Sequence, residues 1–212
     1  MKSKYGIDIF PEFNTLYALI HQEVHNLNDQ QLDYTSSKWE WSEWSIRNQI
    51  SHMASVIPRW LAINWKNDLF PNDEHGFTNI DDIANSPYDR RLNDDIYWNL
   101  NSILEVLETW INLSIKILNE KTEEYLNSRT VGAPPTPQWL SMSKAHPRGV
   151  TAEGDPASRT MTLEATFRHI YFEETTHLFN IQRLKKAQNL DTKVTIPKVG
   201  YWMLDGWDRS DP

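Results

Sequence analysis

The stretch Thr162-Leu163-Glu164-Ala165-Thr166-Phe167-Arg168-His169-Ile170-Tyr171-Phe172-Glu173-Glu174-Thr175-Thr176-His177 decides the reading of this chain. Thr162 is a suitable helix cap, and the pattern behind it runs to about Ala187. Leu163, Phe167, Ile170, Glu174, His177, Ile181 and Leu184 recur in steps of three and four, which makes one helical face. Two members of that inward row, Glu174 and His177, are ionisable. They are the most informative irregularity in the sequence.

Working outward, residues 93–119 predict a helix on Ile96, Leu100, Ile103, Leu104, Leu107, Ile111 and Leu118, with Asn93 or Asp94 as its cap. Residues 45–66 predict another, on Ile46, Ile50, Met53, Ile57, Trp60 and Leu61. Ser45 is its cap and Trp44 a staple residue, while Pro58 should kink or break it. Residues 8–28 predict the first helix, on Phe10, Phe13, Leu16, Ile20, Val24 and Leu27, with Pro11 in its first turn. The polar segment 67–92 reads as a connection with a helical turn near Ile80 to Asn85. Residues 127–160 are dense in glycine and proline and read as a long loop able to cover the mouth of a site. The tail from Asn189 carries Val194, Ile196, Tyr201, Trp202 and Trp207, and should pack back on the helices or on a partner subunit. The expected fold is all-α: one domain over residues 1–212, a four-helix bundle with long connecting loops.

Composition removes several functions. The chain has 212 residues and no cysteine, so thiolate ligands, disulfides and a cysteine nucleophile are excluded. Any metal must be held by His, Asp or Glu. There are 21 Lys and Arg against 29 Asp and Glu, a net charge of -8, and no basic face for nucleic acid. The start, Met1-Lys2-Ser3-Lys4-Tyr5-Gly6, leads into no apolar leader, and no run suits a membrane. A cytoplasmic protein acting on a small molecule is expected. Ten tryptophans imply large aromatic contributions to a core or pocket.

Glu173 and His177 stand four apart, which on a helix puts both on one face within reach of one ion. A third ligand has to come from a facing helix, and His52 sits near the middle of the second one. Two imidazoles and a carboxylate leave open coordination positions, as catalytic zinc sites do. Spacing alone is a weak signal, because a Glu and a His four apart commonly form a solvated pair.

Two segments carry a resemblance. Trp44-Ser45-Ile46-Arg47-Asn48-Gln49-Ile50-Ser51-His52-Met53 resembles the second-helix motif of the DinB/YfiT-like superfamily, in which a Trp-Ser pair opens the helix and a histidine follows. His169-Ile170-Tyr171-Phe172-Glu173-Glu174-Thr175-Thr176-His177 resembles that superfamily's fourth-helix motif. Its common form has His at both ends of a four-residue step. Here the first place holds Glu173, as in a His-Glu-His branch that includes mycothiol-dependent maleylpyruvate isomerases. The resemblance implies a four-helix bundle, commonly a homodimer, binding zinc or nickel through His52, Glu173 and His177. It also implies a low-molecular-weight thiol as cosubstrate, in an S-transferase or isomerase reaction. A metal-dependent hydrolase of a small molecule is the rival, and a non-catalytic ligand-binding bundle is the third reading.

Further residues are candidates to orient the ligands or line the pocket. His169 lies two turns before His177, as a fourth ligand, a ligand's partner or a rim residue. Glu174 reads as a general base, as the partner of a ligand histidine, or as an alternative ligand with His177. Asn180 follows His177 by three, and Arg59 lies on the face of His52, where it would bind a carboxylate or make an interhelix salt bridge. His146 and Arg148, in the long loop, would meet an anionic substrate or solvent. His21 and His25 read as a surface pair.

Overall fold

A computed structural model describes residues 3–72 and 75–212. Met1 and Lys2, part of the start read above, lie outside the described residues, as do Asp73 and Glu74 of the 67–92 connection. Four long helices organise the chain: α1 (Phe13–Val24), α2 (Ile46–Pro58), α3 (Leu100–Glu120) and α4 (Leu163–Ala187). They close a ring in which α1 meets α3, α3 meets α2, α2 meets α4 and α4 meets α1. Leu16, Ile20, Ile50, Ile57, Leu107, Phe167, Ile170 and Ile181 are fully buried between them. Apolar stripes at helical spacing thus meet in one core.

The all-α expectation fails. Between α3 and α4 the chain forms a three-stranded antiparallel sheet of β1 (Thr130–Thr136), β2 (Val150–Glu153) and β3 (Ala157–Thr162), in the order β1-β3-β2. Thr130 pairs with Thr162, and Val150 with Met161. The molecule is therefore a mixed α and β fold, and the segment 127–160 is not one long loop. Pro134 and Pro135 lie where the β1 register shifts, at the edge of the sheet, the place where proline does least harm to a ladder. β3 runs straight into α4, whose cap Thr162 accepts a hydrogen bond from the Ala165 amide at 3.1 Å.

Other boundaries shift for local reasons. The first helix is interrupted: a short helix, Gly6–Ile9, ends before Pro11, and α1 starts at Phe13. Asn28 and Gln31 exchange side-chain and backbone hydrogen bonds and begin another short helix, Asp29–Leu32. Ser45 does cap α2, accepting from the Asn48 amide. Pro58 is the last residue of α2, as the expected break required, and the chain continues as a π-helical turn over Arg59–Asn64. α3 begins at Leu100 under Asn99, later than Asn93 or Asp94, and Ile96 is left exposed. Ile80–Ala84 is the expected turn of helix in the connection. Among the described residues no helix is long and apolar enough to cross a membrane.

The tail returns to α4. A 3-10 turn, Gly200–Met203, lays Trp202 flat on Phe179, with ring centroids 4.1 Å apart, and buries Tyr201. Glu23 of α1 holds the approach to that turn. Its buried carboxylate accepts from Lys185, from Gln182 and from the amides of Lys193 and Val194.

Candidate metal centre

His52 on α2 and Glu173 and His177 on α4 meet inside the ring. Their donor atoms all lie within 4.8 Å of one another. Glu173 Oε2 is 3.6 Å from His52 Nε2 and 3.4 Å from His177 Nε2. The two imidazole centroids are 4.4 Å apart. The α2–α4 contact thus brings together the three residues that the spacing and the resemblance singled out.

Each imidazole is fixed from its far side. His52 Nδ1 donates to the Arg90 carbonyl at 2.8 Å. Arg90 itself adopts a left-handed backbone conformation, with a φ of 54°. His177 Nδ1 donates to Gln49 Oε1, one turn before His52 on α2. The Gln49 amide in turn donates to the Trp44 carbonyl. Both rings therefore present the Nε2 lone pair to the same carboxylate oxygen, the arrangement in which metal-binding histidines are held.

The electrostatics fit this donor set. Burial, with His52 alongside, pushes the His177 imidazole down to about 4, so at neutral pH it is uncharged and offers a lone pair. Burial pushes the Glu173 carboxyl up, but the imidazoles of His177 and His52 outweigh it and hold the group well below the usual carboxylate range. The site thus sets the Glu173 carboxylate between the two imidazoles, with all three side chains mostly shielded from water. Trp44 covers it, packing edge-on against His52 and parallel to His177.

The other candidates are placed as follows. His169 lies beside the cluster: its Nδ1 is 3.8 Å from Glu173 Oε1 and 2.6 Å from the Tyr201 hydroxyl. Tyr201 also sits 2.9 Å from Nε2 of His146, which is buried and not a solvated loop residue. Glu174 is fully buried, and neither of its oxygens has a hydrogen-bond partner among the described residues. Burial, then the charge of Glu173, raise its carboxyl well above the usual range. It makes no hydrogen bond to either ligand histidine and stands outside the three-residue cluster. Asn180 accepts from Arg183 and lines, with His177 and Trp44, an open cavity of about 500 Å³. Arg59 makes no salt bridge among the described residues; it donates to the Ile83 carbonyl at 2.9 Å. Arg148 is paired with Glu164 and Glu123. His21 and His25 stack on one another at the surface.

Several participants were not legible beforehand. Gln49 carried a signal, standing three before His52 on one helical face. Tyr201 was legible only as part of an aromatic tail that should pack back on the helices; Arg159 and Trp139 carried no signal, because only tertiary packing brings the sheet segment to α4. Compared with protein-family models, curated proteins and solved structures, the chain shows no significant match.

Proposed function

We propose that the protein is a divalent-metal-dependent enzyme acting on a small molecule, with zinc or nickel held by His52, Glu173 and His177. The observation that carries this reading is the convergence of two oriented imidazole Nε2 atoms on one carboxylate oxygen. A histidine pair arranged only for packing has no need for both rings to be fixed from behind in the same tautomer. When bound, the ion would act as a Lewis acid and lower the pKa of a water or thiol. The chain has no cysteine, so any thiolate has to come from a cosubstrate.

The resemblance to DinB/YfiT-like proteins of the His-Glu-His branch supports a thiol-dependent S-transferase or isomerase reaction. The cavities on either side of the cluster suit that reading, since two reactants need two approaches. One, open to solvent, reaches His177 past Trp44, Trp207 and Asn180; the other reaches His52, Glu173 and His169 from the sheet side. Tyr201 holds His169 in place from the tail, and Trp44 keeps bulk water off the two ligand histidines. Turnover of a maleyl or similarly activated acid with bacillithiol or mycothiol, in the zinc- or nickel-loaded protein, tests the reading. Ester or amide hydrolysis without any thiol would replace it with the hydrolase.

A further inference from the structure

The cavity on the sheet side has a volume of about 210 Å³, small beside the ~300–1,000 Å³ of ordinary ligand pockets. Its walls include Arg59, Arg159, Trp60, Trp139, His169 and Glu173. Two guanidiniums in so small a space call for a counter-ion, yet neither has a carboxylate within salt-bridge distance among the described residues. Among the described residues Glu173 is the one carboxylate in the wall, and it is turned to the two histidines.

Three N–H donors of the residues lining this cavity have no acceptor among the described residues: Nε of Arg59, Nε of Arg159 and Nε1 of Trp139 are all buried without a hydrogen-bond partner. Guanidinium and indole can donate but not accept, so these groups cannot satisfy one another. Leaving buried donors unpaired is costly, and an anion beside the two guanidiniums would offset part of that cost. Arg159 is held for this task. Its guanidinium lies 4.1 Å from the Trp139 ring centroid and 5.2 Å from that of Trp60.

We propose that this cavity receives the carboxylate of a small, flat organic acid, with Arg159 and Arg59 as its anion-binding groups. Arginine's planar fork matches a carboxylate in two-point contact. The side chain of Met142, half-buried in the cavity wall, receives the apolar body. The acid's reacting end then lies toward Glu173 and His52. The proposal deepens the functional reading above by naming the substrate class, but the two arginines need no metal ion to bind an anion.

Calorimetric titration of benzoate and its neutral isostere benzamide into the full chain, metal-free and then zinc-loaded, tests it. Benzoate should bind the metal-free protein, and benzamide at least about tenfold more weakly. Arg159→Gln and Arg59→Gln should each weaken benzoate by about tenfold or more while zinc uptake stays unchanged. Arg159→Lys, which keeps the charge, should lose less than Arg159→Gln. If Arg159→Gln fails to fold by circular dichroism, Arg59→Gln carries the test. Equal binding of the two probes, no benzoate binding in either form, or native-like binding by Arg59→Gln would overturn the proposal. Benzoate binding without zinc uptake would leave it standing and remove the metal reading; zinc uptake without benzoate binding would do the reverse.

Discussion

Gln49 accepts a hydrogen bond from Nδ1 of His177 across 128 positions of sequence. That contact, made between α2 and α4, sets which nitrogen of His177 faces Glu173. Removing it should leave the fold intact and loosen the imidazole. Gln49→Ala is expected to weaken zinc binding by about 10–100-fold, the usual effect of losing a ligand's orienting partner. Competition with a chromophoric chelator measures this.

Glu23 and Lys185 form a buried ion pair, with side chains 0 % and 2 % exposed. Breaking such a pair from one side leaves an uncompensated charge and costs about 3–5 kcal/mol. Glu23→Leu should therefore be severely destabilising in urea unfolding, and Lys185→Met nearly as much. The double variant should lose clearly less than the sum, since no charge is stranded. It still should not recover fully, because the amides of Lys193 and Val194 also depend on Glu23. Strict additivity would show that the pair does not act as a unit.

Gly200 turns the tail with a φ of 58°, and a Cβ there would sit 2.1 Å from the Phe172 ring. Gly200→Ala meets both backbone strain and overpacking. A loss of about 1–3 kcal/mol is expected, with the Gly200–Met203 turn lifted off α4. Thermal unfolding reads the first effect and limited proteolysis of the tail the second.

Burial, then the nearby His169, push His146 down to about 3, from an ordinary value of 6.5. Below pH 6.5 the unfolded chain takes a proton at this residue that the folded chain refuses. Stability from this group is thus full above 6.5 and falls as pH drops toward 3, by up to ~1.4 kcal/mol per pH unit. His146→Gln should flatten the acid limb of the urea midpoint between pH 4 and 6.5 by about one proton's worth. An unchanged slope would mean that His146 is accessible to protonation in the folded protein.

The long helices were legible because apolar side chains at steps of three and four over many residues leave little ambiguity. Ser45 and Thr162 marked two of their starts by cap chemistry. The sheet was not legible. Its strands are four to seven residues long, with only one side partly covered in β1 and β2, and glycine and proline punctuate them. Short amphipathic runs of that kind read as loop. Glu173 and His177 showed a shared helical face, and His52 was added as a facing donor. The aromatic residues of the tail did signal that it packs back on the helices, but the sheet that completes the surroundings of that cluster is reported by no local pattern. Arg47 is a similar case: it is buried against Asp29, Asp33 and the Trp98 carbonyl, a network that spans three separate segments.

The central claim is tested most directly by metal content. The native chain, loaded with zinc or nickel and freed of excess by gel filtration, should carry about one ion by mass spectrometry, as one three-ligand centre requires. His52→Ala, Glu173→Gln and His177→Ala should each bring that content close to zero while circular dichroism stays native. Full metal content in all three variants, or none in the native chain with either ion, would contradict it.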